Sequence, residues 1–209
     1  MSTSDNVSDA SSSSVVDDTA PRYPVCNNRF VTTRPMTIIL KECLKFHDEN
    51  GNLMFNLHAR TMTMSGRIII KDANGVRVGH VRRKRRPATR ATYYFGDKKK
   101  DKIGTVKAKG PTSRSDRCDA DIYLGDSLIG ETMGNWFTKS FRIVLSGVQV
   151  AEIYRTIDSA EGGFSIEILT EGVDSLVILL IVMALGEIHA WADTANGGVS
   201  SCILYSGKT

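Results

Sequence analysis

Histidines, cysteines and closely spaced aspartates are the residues of this sequence that could support metal binding or nucleophilic chemistry. The four histidines fall on separate predicted elements without the spacing of a zinc site, and no serine lies in a G-x-S-x-G turn. Four cysteines are widely separated and unpaired in sequence, which predicts reduced thiols in an intracellular protein. We therefore expect no catalytic residue, no metal and no cofactor. The residues concerned are His47, His58, His80, His189, Cys26, Cys43, Cys118 and Cys202.

Asp116, Asp119 and Asp121 form the densest acidic cluster and raise the question of calcium. The central glycine and closing glutamate of an EF-hand loop are missing from this stretch. We interpret the three carboxylates as a solvated strand edge.

Basic residues are concentrated in one part of the chain. Between Arg77 and Arg117 there are fifteen Lys and Arg against three Asp, a net charge of +12. The whole chain has a formal charge of +4, so the remainder carries −8. The candidate lipid- or phosphate-binding residues are Arg82, Arg83, Lys84, Arg85, Arg86, Arg90, Lys98, Lys99, Lys100 and Lys102.

Several interpretations of this basic stretch remain open. Anionic lipid headgroups would attract it at about 1 kcal/mol per cation. Nucleic-acid phosphates would attract it too, with the aromatic triplet at residues 93–95 available for base stacking. A nuclear import signal and a solvated hairpin tip are further alternatives. Strand alternation places Tyr93 and Phe95 on one face and Tyr94 on the other, which favours a half-buried triplet.

The elements that would position these residues are mostly short β-branched runs. Residues 1–20 are rich in Ser and Asp and are predicted to be disordered, and the folded domain is predicted over residues 21–209. About twelve strands follow, separated by turns such as Asp-Glu-Asn-Gly at 48–51 and Asp-Ala-Asn-Gly at 72–75. This pattern predicts a mainly β fold, a closed antiparallel barrel.

A different pattern begins near Asp174, which is a plausible helix N-cap. Residues 176–185 are ten successive apolar residues, so a helix there must be buried on every side. Ten residues span about 15 Å, half of a bilayer core of about 30 Å. We predict a core helix at about residues 174–190, enclosed by the barrel, and no transmembrane span.

Neither end of the sequence carries a recognisable targeting or lipidation motif. The N-terminal segment lacks the apolar core of a signal peptide, and Met-Ser at the start is not a myristoylation site. We expect an intracellular protein, either cytoplasmic, peripheral at the plasma membrane, or nuclear.

Three segments in order resemble the LURP-one-related family of plants, a relative of tubby C-terminal domains and phospholipid scramblases. They are FHDENGNLMFNL at 46–57, IIKDANG at 69–75 leading into VGHVRRK at 78–84, and EGVDSLVILLIVMAL at 171–185. The resemblance covers about residues 30–190. It implies a twelve-stranded antiparallel barrel enclosing a hydrophobic C-terminal helix.

The resemblance also shapes the expected function. Tubby domains bind phosphoinositides, and LURP-one-related proteins are linked to plant defence and to membrane-tethered transcription regulation. We therefore expect a non-enzymatic, monomeric binding protein whose basic stretch contacts anionic membrane lipids. A nucleic-acid-binding or nuclear regulatory protein and a scramblase-like membrane protein are the alternatives.

Overall fold

The computed structural model describes residues 23–26, 28–42, 45–59, 67–84, 91–97, 102–110, 119–135, 140–155 and 164–195. Within these ranges the chain forms twelve β-strands and one α-helix. The predicted disordered segment, residues 1–20, lies outside the described residues. The elements are β1 (Met36–Glu42), β2 (Lys45–Asp48), β3 (Leu53–Ala59), β4 (Arg67–Asp72), β5 (Arg77–Arg83), β6 (Thr92–Asp97), β7 (Gly104–Ala108), β8 (Ala120–Leu124), β9 (Ser127–Asn135), β10 (Ser140–Leu145), β11 (Val148–Arg155), β12 (Phe164–Ile168) and α1 (Ser175–Ala195).

The strands make one closed antiparallel barrel. Each strand from β2 to β12 pairs with its neighbours in sequence, and β1 pairs with both β2 and β12 to close the ring. Closure removes the exposed edges that an open sheet would present. The predicted fold class, a mainly β antiparallel barrel with a C-terminal helix, is confirmed.

Two of the hairpins turn on the same short sequence, Asp-x-Asn-Gly. In the first, the Asp48 carboxylate accepts hydrogen bonds from the backbone N–H groups of Asn50 (2.9 Å) and Asn52 (2.8 Å). The second repeats this with Asp72. Only the glycine of each turn has a positive φ, 83° at Gly51 and 76° at Gly75, rather than asparagine and glycine together. The carboxylate therefore holds the turn, and glycine supplies the left-handed residue.

Helix α1 fills the interior of the barrel. Residues 176–185 each expose at most 1 % of their surface. The helix approaches β5 closely at Gly79, where a Cβ would lie 3.3 Å from side-chain carbons of Leu176 and Leu180. An apolar helix needs apolar surroundings on all sides, and the inward side chains of the strands provide them.

The segment before β1 covers the N-terminal end of this helix. Asp174 accepts hydrogen bonds from the backbone N–H of Leu176 (2.9 Å) and from that of Cys26 (2.7 Å). Thr32 donates its backbone N–H to the carbonyl of Val173 at 2.8 Å. The helix is thus capped by a buried carboxylate and tied to the chain near residue 30.

Candidate functional site

The predicted basic run begins inside a strand. Arg82 and Arg83 are the last residues of β5, and exposed Lys84 follows them. Arg82 lies opposite Tyr94 in β6, and Arg83 lies opposite Tyr93. Tyr93 is buried and Tyr94 is only partly buried, as strand alternation predicts. Arg82 therefore projects from the outer face, whereas Arg83 projects towards the interior at the end of β5.

Tyr94 joins the two predicted basic clusters. The guanidinium carbon of Arg82 lies 5.7 Å from the centroid of the Tyr94 ring, and Nζ of Lys102 lies 5.1 Å from it. Both distances fall within the range of cation–π attraction, about 6 Å. We call Arg82, Tyr94 and Lys102 the Tyr94 surface. Two positive charges are held there against one aromatic ring on the outside of the barrel.

Arg67 extends the Tyr94 surface on the β4 side. It pairs directly with Arg82 across the β4–β5 hairpin and is partly exposed. This residue was not among the predicted site residues. A register shift between Ile70 and Lys71 sets this pairing, since counting pairs outward from the Asn-Gly turn would place Arg67 opposite Val81 instead. No signal in the sequence could therefore have found this neighbour.

Arg83 faces the C-terminal half of helix α1. Burial raises the pKa of the Glu187 carboxyl, and the positive charge of Arg83 partly opposes that rise. The Tyr93 hydroxyl donates a hydrogen bond to the backbone carbonyl of Glu187 at 3.3 Å. The positive charge of Arg83 thus favours the ionised form of Glu187 in α1, and it also adds to the basic end of β5.

Lys109 shows how a nearby cation can be neutralised. Its ammonium group donates a hydrogen bond to Glu131 and lies 3.6 Å from Asp121. The hydrogen bond to Glu131 raises the pKa of Lys109, and the charge of Asp121 adds to the rise. Asp121, predicted as part of an acidic strand edge, therefore belongs to an ion-pair cluster. Of its predicted companions, Asp119 is described and Asp116 lies outside the described residues.

The structure places four of the ten predicted binding residues, namely Arg82, Arg83, Lys84 and Lys102. It brings Arg82 and Lys102 together at Tyr94, although nineteen residues lie between them in sequence. The other six lie outside the described residues; they are Arg85, Arg86, Arg90, Lys98, Lys99 and Lys100.

A cleft of about 220 Å³ lies at the opposite end of the helix, beside the segment that covers its N-terminus. Its two arginines are engaged by acids: Arg29 with Asp72, and Arg34 with Glu49 at 3.4 Å. Burial is the largest single influence on the pKa of Asp72 and would raise it, but the hydrogen bond and charge of Arg29 together with the backbone hydrogen bonds of the turn outweigh burial and lower the pKa. The charges of both arginines in the cleft are therefore largely balanced by acids.

The Cys26 thiol lies near this cleft and is poorly suited to covalent chemistry. Burial raises its pKa, and the carboxylates of Asp174 and Asp97 raise it further. The reactive thiolate is therefore scarce at neutral pH. The remaining cysteines, Cys43, Cys118 and Cys202, lie outside the described residues.

The described residues offer neither a metal site nor a membrane-spanning helix. No group of three or more His, Cys, Asp or Glu side chains there is arranged to hold a metal ion. Among the same residues, no helix has both the length and the apolar character required to cross a membrane.

Fold and surface together define a class of protein: a closed antiparallel β-barrel filled by an apolar C-terminal helix, with cations on its outer face. The chain belongs to the LURP-one-related family, whose model matches residues 29–186. The X-ray structure of a protein from Arabidopsis thaliana is similar in fold, with a TM-score of 0.59 and 20% sequence identity over 78% of this chain and 97% of that chain. No curated protein matches the chain in sequence. The resemblance inferred from the three sequence segments is confirmed.

Proposed function

We propose that this protein is a non-enzymatic module that binds anionic membrane lipid headgroups through the Tyr94 surface. The observation that carries the proposal is the convergence of Arg82 and Lys102 on Tyr94. Each cation near an anionic membrane contributes about 1 kcal/mol, and Lys84 and Arg67 add charge beside the pair. The predicted cations of the two adjoining basic segments would strengthen the same attraction.

The position of the cations on strands supports binding in a defined geometry. Arg82 is part of β5, Tyr94 of β6, and Lys102 precedes β7, so hydrogen-bonded backbone fixes their spacing. The ring of Tyr94 restrains two long side chains that would otherwise lose rotamer entropy when they bind. A preorganised cation pair suits a phosphate-bearing headgroup better than a mobile loop does.

Nucleic acid is the competing ligand, and the aromatic residues disfavour it. Tyr93 and Phe95 are buried, exposing 1% and 0% of their surface. Tyr94 is the outward member of the triplet, and its ring is already approached by two cations. Sequence-tolerant binding of single strands relies on open aromatic faces for stacking, and the triplet offers little of that kind.

Lipid scrambling is also disfavoured by the packing of helix α1. The apolar residues 176–185 form the core of the barrel, so inserting them into a bilayer would empty that core. Family membership supports a regulatory role at a membrane, in defence or in transcription control, and we extend the proposal to an intracellular, peripheral protein at the plasma membrane.

Co-sedimentation with vesicles tests the proposal. Wild-type protein should bind phosphatidylcholine vesicles that contain phosphatidylserine or phosphoinositide, and binding should weaken as salt is added. The double change Arg82→Gln with Lys102→Gln should reduce binding by about thirtyfold, since two cations contribute about 2 kcal/mol. Lys109→Gln is the matched control, because Glu131 and Asp121 already neutralise that lysine.

Three results would count against the proposal. If wild-type protein does not bind anionic vesicles, the proposal is refuted directly. A loss of binding free energy from Lys109→Gln that is half the loss from the double change, one charge against two, would show that net charge alone matters. Tight binding of labelled single-stranded RNA or DNA at physiological salt, with no binding to vesicles, would favour the nucleic-acid alternative.

A further inference from the structure

Exposed aliphatic side chains cluster beside the Tyr94 surface. Leu124 exposes 37% of its surface and Leu128 exposes 61%, and both belong to the β8–β9 hairpin. Val148, in the neighbouring β10–β11 hairpin, exposes 41%. We call these three residues the aliphatic rim. They make up half of the large hydrophobic residues that are exposed in the described part of the chain.

Backbone pairing brings together the two hairpin turns that carry the aliphatic rim. Leu124 pairs with Ser127 across the tight turn of residues 125–126, and Leu128 follows Ser127. Ser146, two residues before Val148, donates its backbone N–H to the carbonyl of Ile129 at 2.7 Å. The two hairpin turns therefore lie next to each other at one end of the barrel.

The aliphatic rim adjoins the cations of the Tyr94 surface. The backbone N–H of Gly125 donates to the carbonyl of Ile103 at 3.4 Å, and Ile103 directly follows Lys102. On the outer face, Tyr94 pairs with Thr105, Thr105 with Tyr123, and Tyr123 with Leu128. Three strand spacings of about 4.8 Å put Tyr94 and Leu128 about 14 Å apart along the surface.

Polarity changes in a regular order across this face. Arg82 lies at the β5 side, Tyr94 with Lys102 and then Tyr123 lie in the middle, and exposed Leu128 lies at the β9 side. A bilayer surface presents the matching sequence of phosphates, an interfacial layer that favours tyrosine, and acyl chains. A soluble phosphate ligand would match the cations alone and would leave the exposed leucines unexplained.

We infer that the aliphatic rim inserts into the acyl boundary of an anionic bilayer while the Tyr94 surface holds the headgroups. This inference rests on the proposed function and specifies its partner as an intact membrane rather than a free headgroup. The exposed Asp126 in the turn between the leucines keeps the insertion shallow, because its carboxylate must stay hydrated. The side chains would reach the headgroup boundary without spanning the bilayer.

Tryptophan fluorescence tests insertion directly. In Leu128→Trp, emission should shift to shorter wavelength when phosphatidylcholine–phosphatidylserine vesicles are added, and lipids brominated on their acyl chains should quench it. Tyr154→Trp is the matched control, since Tyr154 is 40% exposed on β11 outside the rim. Its emission should be unchanged by the same vesicles and by the brominated lipid.

A second variant separates insertion from headgroup binding. The double change Leu128→Thr with Val148→Thr should weaken vesicle binding by about five- to tenfold, because two aliphatic side chains no longer enter the lipid. Binding of soluble inositol hexakisphosphate should be unchanged in this variant. The Arg82→Gln with Lys102→Gln variant should instead lose affinity for both vesicles and the soluble phosphate.

The outcomes distinguish the two proposals. If wild-type protein binds anionic vesicles but Leu128→Trp shows no shift or quenching, the insertion is wrong and headgroup docking stands. If wild-type protein does not bind the vesicles, the proposed function fails and the insertion fails with it. A shift of Leu128→Trp emission that grows with protein concentration in the absence of lipid would identify a second copy as the occupant and overturn the inference.

Discussion

Removing the buried carboxylate of Asp174 should destabilise the barrel more than any surface change in the same loop. Asp174 is 0% exposed and accepts two backbone hydrogen bonds, from Leu176 at 2.9 Å and from Cys26 at 2.7 Å. Loss of an N-cap costs about 0.5–2 kcal/mol. A hydrogen bond to a charged group contributes about 1.5–3 kcal/mol, so the second bond adds to this cost. Relief from keeping a charge buried offsets part of the loss.

We expect Asp174→Ala to lower the free energy of unfolding by about 2–4 kcal/mol. Asp174→Asn should lose about half as much, because one amide oxygen can still cap Leu176 while the amide nitrogen faces the N–H of Cys26. Urea denaturation followed by circular dichroism measures both. Glu171→Ala, an exposed change in the same loop, should stay within about 0.5 kcal/mol of wild type. If Asp174→Ala matched that control, the buried carboxylate would not be the residue that anchors the helix.

Two further predictions concern the interior of the barrel. Because the pKa of Glu187 is raised on folding by burial, the protein should lose stability as pH rises above the ordinary glutamate value of 4.5. Glu187→Gln should therefore be more stable than wild type at pH 7, and this difference in the free energy of unfolding should disappear below pH 4.5. Denaturant titrations at several pH values measure the difference. A difference that grows in acid would contradict the prediction. Gly104→Ala should destabilise by about 1–3 kcal/mol because the new Cβ would overlap the ring of Phe95, whereas Gly110→Ala meets open space. Thermal melts of the two alanine variants compare them, and equal melting temperatures would refute this account.

Strands and helix could be predicted from the sequence because their determinants are local. The Asp-x-Asn-Gly turns hold their own hairpins through one carboxylate and one glycine. Ten successive apolar residues, 176–185, leave burial as the sole stable environment for a helix. The alternation of residues 93–95 likewise predicted that Tyr94 lies on the face opposite to Tyr93 and Phe95.

The composition of the candidate site could not be predicted in the same way, because it depends on register between strands. Arg82 and Lys102 meet at Tyr94 only because β5, β6 and β7 pair with particular offsets. Lys109 looks like any other cation of the basic stretch until β7, β8 and β9 are aligned and place Glu131 beside it. A register shift in β8–β9 between Ile122 and Tyr123 also breaks simple alternation near Leu128.

Filling the barrel with a helix decides where ligands can bind. In a barrel with an open interior, binding residues can line a cavity, but here residues 176–185 occupy that space at 1% exposure or less. Recognition must then use the outer face and the hairpin turns, where a flat partner is a better geometric match than a small enclosed ligand. The membrane that we propose as the partner is flat in this sense, and a rigid barrel with cations and aliphatic side chains at fixed spacing could contact it without rearranging its core. The buried apolar helix therefore helps to hold the strands that carry the Tyr94 surface and the aliphatic rim at a fixed spacing.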